Sequence, residues 1–167
     1  MSIRRFVVPG VVVVFLMFLL LFVQWGGEDA SAPSLADGVT EVVRQQLATA
    51  HPETATGQLL ELTRVIVPAH ESLPPHTHPG PQLAIIVSGT LTYIVIDGEV
   101  TVTRAASTAG ETVETYASGD TLELQEGDSI SEPALMVHRA AVAGDEPVII
   151  YLASLFPEGA APATTVQ

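Results

Sequence analysis

The stretch Pro75-His76-Thr77-His78-Pro79-Gly80-Pro81-Gln82, answered downstream by Glu132-Pro133 and His138, decides how this chain is read. Histidines at i and i+2 on an extended segment share one face of a sheet, because strand side chains alternate with period two. Neutral imidazole is a preferred ligand for zinc, copper, iron and nickel. Gln82 opens the next strand after the Pro79-Gly80-Pro81 turn, and in an antiparallel pair its side chain can return beside the two imidazoles. His138 begins a late strand, and nothing local ties it to the others. By spacing, three residues form a candidate cluster and the fourth is unplaced.

Working outward, the pattern from Gly57 onward is that of strands. Gln58 to Val67 is β-branched and Leu-rich and ends at Pro68. Gln82 to Val87 is a short apolar strand closed by Ser88-Gly89. Thr90 to Ile96 and Val100 to Arg104 flank Asp97-Gly98, the strongest short hairpin signal, so a hairpin is expected there. Thr121-Leu122-Glu123-Leu124 alternates cleanly, Ser118-Gly119-Asp120 and Glu126-Gly127-Asp128 mark turns, and Val137 to Ala143 and Pro147 to Phe156 complete the set. Ala105 to Gly110 reads as a hairpin loop. About eight short strands with turns at such spacing make an all-β sandwich or barrel. Ahead of them, Asp37 can cap a short helix to about Ala50, with Val39, Val42, Val43 and Leu47 on one side.

At this point the sequence resembles the cupin superfamily, small double-stranded β-helix (jelly-roll) barrels. The family's first motif reads Gly, five residues, His-x-His, three or four residues, Glu, six residues, Gly. Here His76-Thr77-His78, Gln82 and Gly89 fall in that spacing. The second motif reads Gly, five residues, Pro-x-Gly-x-x-His, matched by Gly127, Pro133 and His138. The resemblance covers Gln58 to Phe156 and implies that His76, His78, Gln82 and His138 are the metal ligands. It implies one divalent transition metal: Fe, Mn, Ni, Cu or Zn. Three departures stand out. His70 and Leu135 occupy positions where the motifs have glycine, so those turns are expected to be built differently. Gln82 replaces the family's glutamate, which keeps an oxygen but removes a charge and a candidate base. Glu71 and Glu132, beside the two motifs, are candidate bases set against the plainer expectation of a solvated rim. Tyr93, Ile85, Met136 and the loop residue His70 are the candidate pocket residues, with Val87, Ile94 and Val137 lining the barrel in part. His51 is expected on the surface.

The N-terminus carries a different message. Phe6 to Trp25 is an uncharged run of about 20 residues, enough for a helix to cross a hydrocarbon core of roughly 30 Å. Arg4 and Arg5 precede it, and all 19 acidic residues follow it. Four arginines against those acids leave the remainder strongly negative, and the whole chain carries −13. The positive-inside rule then puts residues 1–5 in the cytoplasm and the domain in the periplasm or outside the cell, as a single-pass protein of a bacterial-type plasma membrane. Ala30-Ser31-Ala32 has the small-residue pattern of a signal-peptide cleavage site, but the apolar run exceeds the usual core of about 7–15 residues. Pro33 would follow the cut, so retention as an anchor is expected. The expected organisation is an anchor at 1–25, a linker at 26–38, a barrel with a short leading helix at 39–156, and a small, Pro/Ala/Thr-rich flexible tail at 157–167.

Composition excludes some functions. With no cysteine, disulfides and thiolate metal sites are unavailable, while His and oxygen sites remain. With no lysine and four scattered arginines in an acidic domain, there is no basic surface for a phosphate backbone, so nucleic acid is not a partner. Two functions stand side by side. One is a mononuclear metal cupin, a dioxygenase, isomerase or lyase acting on a small organic molecule. The other is a non-catalytic accessory subunit, its anchor presenting the barrel to a larger membrane complex and its histidines kept as a vestigial or hydrogen-bonded cluster. The resemblance also allows a homodimer.

Overall fold

Period-two alternation is carried into space strand by strand, and it decides which side chains meet. The structure, a computed structural model, describes residues 36, 38–105 and 112–167. Among them are twelve strands and no helix: β1 (Val43–Ala50), β2 (Gln58–Val67), β3 (Ser72–Thr77), β4 (Gln82–Ser88), β5 (Leu91–Asp97), β6 (Glu99–Thr103), β7 (Val113–Ala117), β8 (Thr121–Leu124), β9 (Ser129–Glu132), β10 (Val137–Ala141), β11 (Val148–Pro157) and β12 (Thr164–Thr165). They form a seven-stranded sheet, β1-β2-β11-β4-β9-β6-β7, and a five-stranded sheet, β12-β3-β10-β5-β8. The all-β expectation holds.

The core lies between the sheets. Val67, Val95, Val102 and Val148 are fully buried, and Ile86, Leu124, Ile130 and Tyr93 nearly so. Each such aliphatic side chain contributes about 1.5–3 kcal/mol relative to exposure. β4 shows the parity: Gln82, Ala84 and Ile86 point inward while Leu83, Ile85 and Val87 point out. Before β9, the Asp128 carboxylate accepts from the Gln125 amide at 3.0 Å and the Ala105 amide at 2.8 Å. That pinned turn sets where Glu132 falls.

Four expectations are corrected. The helix expected before Ala50 is strand β1 from Val43 onward, paired with β2 from Val43 opposite Ile66 to Ala50 opposite Leu60. A helix of that length is marginal alone, and the open edge of β2 offers a full ladder of hydrogen-bonding groups instead. Asp97-Gly98 does not close a hairpin: β5 pairs with β8 and β10, β6 with β7 and β9, so this turn is a corner between sheets. β6 does pair with β7, and the loop expected at Ala105 to Gly110 lies, beyond Ala105, outside the described residues. Residues 157–167 are not a loose tail, because β12 pairs with β3 and the Val166 amide donates to the Pro75 carbonyl at 2.9 Å. Finally, His70 and Leu135 take positive φ of 61° and 65°, a conformation that glycine adopts freely, so these turns need no different build. Gly80, between two prolines, has no room for a side chain, since a Cβ would collide with the Leu155 carbonyl. The apolar run Phe6–Trp25 lies outside the described residues, among which no helix is long and apolar enough to cross a membrane.

The left-handed conformation of Leu135, 68% exposed, is strained for a residue with a Cβ and eased for asparagine. Leu135→Asn should raise unfolding stability by about 0.5–1 kcal/mol, and Leu135→Val should lower it. Denaturant unfolding of both variants checks this; an asparagine variant less stable than the parent would refute it.

Candidate metal centre

Two register pairs, one in each sheet, build the site. In the five-stranded sheet His76 on β3 stands directly opposite His138 on β10. In the seven-stranded sheet Gln82 on β4 stands opposite Glu132 on β9. His78 comes just after β3, where the Pro79-Gly80-Pro81 segment passes from one sheet to the other. His76, His78 and His138 each offer a ring nitrogen, all within 4.8 Å of one another. The non-local placement of His138, which spacing left open, is settled by that register.

The rings are aimed by their far nitrogens. His78 Nδ1 lies 2.6 Å from the Pro162 carbonyl and His76 Nδ1 2.7 Å from the Pro74 carbonyl. A carbonyl only accepts, so in both rings Nδ1 carries the proton and Nε2 keeps its lone pair. Tyr93 stacks on His138 with centroids 4.9 Å apart, and Phe156 stacks on His78 at 6.0 Å. Gln82 Nε2 donates to Glu132 Oε2 at 2.9 Å, and the Tyr93 hydroxyl donates to Glu132 Oε1 at 2.8 Å. Glu132 also lies 3.7 Å from Nε2 of both His78 and His138.

Burial sets the protonation states. It holds His138 down to about 2, reinforced by the neighbouring His76 and His78. It also lowers His76, against the opposing pull of the Pro74 carbonyl. Burial and then the Glu132 carboxylate push the Tyr93 hydroxyl above its ordinary range. His76 and His138 are thus kept neutral, the form that ligates metals. Gln82 Oε1 and His138 Nδ1 are buried without a partner among the described residues, a cost of about 1–3 kcal/mol each if left so. Three convergent imidazoles, a carboxylate and an amide in an apolar surround fit a divalent transition ion.

Beneath the cluster lies a cavity of about 290 Å³ whose floor is apolar, with Ala84, Ile86, Leu91, Leu124 and Ile150 among its walls. Its lining also takes in Val42 and Arg44 from the β1 side and Ala163 and Thr165 from the tail. Of the expected pocket residues, Tyr93 lines the cavity, and Met136 is buried with its sulfur 3.9 Å from the Tyr93 hydroxyl. Ile85 does not: it is 44% exposed, because a residue three along from the inward Gln82 must face out. Val87 is likewise exposed, and Ile94 and Val137 are half-buried. His70 sits on the surface beside Asp145, 3.1 Å away. Of the two expectations for Glu132, a base beside the site or a residue of a solvated rim, the rim is excluded, since it is 4% exposed. Sequence reasoning missed Pro162, Ala163 and Thr165 altogether, since a small, proline-rich tail carries no periodicity to read.

Residues 63–154 match the family model of the cupin domain. No curated protein matches the chain. Among solved structures, the fold is similar to a cupin 2 domain-containing protein from Halorhodospira halophila, at 12% identity over 78% of this chain and 76% of that one, with a TM-score of 0.50. A cupin 2 conserved barrel domain protein from Leptotrichia buccalis shares 22% identity over 70% of this chain and 41% of that one, with a TM-score of 0.47. A salicylate 1,2-dioxygenase from Pseudoaminobacter salicylatoxidans shares 10% over 71% and 26%, with a TM-score of 0.45. The chain therefore spans less than half the length of the last two. At such identities the likeness is one of fold.

The neutral histidines make stability depend on pH with a definite sign. A folded pKa near 2 for His138, against 6.5 for a free histidine, means the unfolded chain binds the extra proton. That stabilisation is complete above about pH 6.5 and declines as pH falls below it, by up to about 1.4 kcal/mol per pH unit for each proton. The chelator-treated protein should therefore melt lower at pH 5 than at pH 7, and His138→Asn should flatten that slope. A parent with the same slope as the variant would contradict the assignment.

Proposed function

This chain belongs to the cupin domain family, and on that premise we propose that it binds one divalent transition metal (Fe, Mn, Ni, Cu or Zn) through His76, His78 and His138, with Gln82 at the family's fourth ligand position. The observation that carries this is the convergence of the three ring nitrogens within 4.8 Å of one another, with the Nδ1 atoms of His76 and His78 tied to the Pro74 and Pro162 carbonyls so that Nε2 is the atom each offers. Such outer hydrogen bonds are how metal-ligating histidines are generally held. An ion held by these residues would supply Lewis acidity or redox chemistry to a bound small molecule.

The chain's own residues supply the rest. The apolar walls of the cavity exclude water and suit a small, weakly polar organic molecule rather than a sugar phosphate or other polyanion. Arg44 is the one cation among the described residues of the lining, and it is already engaged by Glu61 at 3.1 Å. Glu132 and Tyr93 stand beside the histidines as the groups able to hold a proton. A candidate metal site beside a dry pocket supports activity of the dioxygenase, isomerase or lyase type. The run Phe6–Trp25 anchors the barrel on the outer side of the membrane, with residues 1–5 in the cytoplasm.

A second function, an accessory subunit of a membrane complex, draws on the outer face of the seven-stranded sheet. There Leu62, Ala153 and Leu83 lie side by side across β2, β11 and β4, with Leu62 41% and Leu83 57% exposed. Such an apolar face is the kind a partner covers.

Elemental analysis of the full-length protein purified in detergent should find about one transition metal per chain, lost in His76→Ala and His138→Ala. A metal-free parent whose stability neither substitution alters would overturn the metal reading. Mild detergent extraction separates the second function: migration always alone would remove it.

A further inference from the structure

The family pattern assigns the fourth ligand to position 82, but the hydrogen bonds around Gln82 turn its amide nitrogen, not its oxygen, toward His78. Gln82 Nε2 donates to Glu132 Oε2 at 2.9 Å and sits 3.3 Å from His78 Nε2. A carboxylate only accepts, so the bond to Glu132 fixes the amide with its nitrogen toward the histidine. Turning the amide over would set Gln82 Oε1 against Glu132 Oε2, two acceptors in contact. As it stands, Oε1 is buried with no partner among the described residues.

Glu132 has the opposite character. Its two oxygens lie 3.7 Å from His78 Nε2 and 3.7 Å from His138 Nε2, too far for hydrogen bonds. Two donors each about 2.1 Å from a shared ion stand about 3.0–4.2 Å apart for angles of 90–180°. The spacing is that of ligands to one ion. The carboxylate is 4% exposed, and His78 and His138 are its only ion-pair neighbours among the described residues. A buried carboxylate without a cation is costly, and a divalent ion between it and the histidines would balance it.

We infer that Glu132, and not Gln82, is the oxygen ligand of the centre, with Gln82 and Tyr93 as its positioning residues. The inference rests on the metal-binding reading above. Each positioning residue donates one hydrogen bond to one carboxylate oxygen, which holds the group across the space between His78 and His138. The negative charge absent from position 82 is thereby restored from the register partner on the neighbouring strand. A carboxylate removes one unit of the ion's charge where an amide removes none, so the centre should bind divalent ions as firmly as one built on the family's glutamate.

The test titrates Co²⁺ alone into the chelator-stripped, full-length protein in detergent, following heat and the visible d–d bands. Glu132→Gln should weaken Co²⁺ binding by more than about 100-fold and shift the bands, while Gln82→Ala should cost about 10- to 100-fold, as loss of an outer hydrogen-bond partner does, and leave the bands in place. Glu132→Gln within about threefold of the parent would overturn the assignment, as would loss of binding or altered bands in Gln82→Ala. If Glu132→Gln fails to fold, the Gln82→Ala arm decides alone. A parent protein that takes up no Co²⁺ would overturn the metal reading, and the assignment with it, before any variant is compared.

Discussion

Antiparallel register is the constraint on which everything else here depends. His76 faces the interior only because it stands opposite His138, and Gln82 only because it stands opposite Glu132. A slip of one residue in either ladder would send its polar pair to the outer surface and bring its apolar neighbours in. What forbids the slip is the alternation of the whole strand. On β4 the same parity that turns Gln82 inward also buries Ala84 and Ile86. The hydrophobic core thus fixes the chemistry indirectly, by fixing the register in which the polar residues arrive.

That dependence explains how much could be read in the chain. The shared face of His76 and His78 is a local property of a strand, and period two shows it directly. His138 and Glu132 reach the site through pairings between segments far apart, which only motif likeness or the folded chain can supply. Ile85 was assigned inward although parity with Gln82 places it outside, an inconsistency already present in the spacing. The helix expected before Ala50 and the hairpin expected at Asp97-Gly98 fail for one reason: local signals lost to the demand for ladder partners elsewhere. The left-handed conformation of Leu135 was illegible because a leucine side chain does not favour it, whereas histidine, as at His70, is among the residues enriched there.

Leu135 also shows why such a conformation persists. Its amide donates to the His78 carbonyl at 2.9 Å, so the turn between β9 and β10 is tied to the backbone of a candidate ligand. Backbone strain of this kind survives where surrounding structure over-determines it, and such places cluster at functional sites. Buried neutral imidazoles, a buried carboxylate and a left-handed leucine are three departures from what stability alone would favour, all within one end of the barrel.

The Pro162 carbonyl lies 84 residues beyond the histidine whose proton it fixes. Docking of the tail and the affinity of His78 for whatever it holds are therefore two sides of one equilibrium. Free energy that an occupant gains from the ordered tail is returned, by thermodynamic reciprocity, as resistance of the tail to peeling away from β3. The short strand Thr164–Thr165 then acts as a gauge of occupancy: its amide-exchange rate should carry the state of the buried centre to the protein's surface.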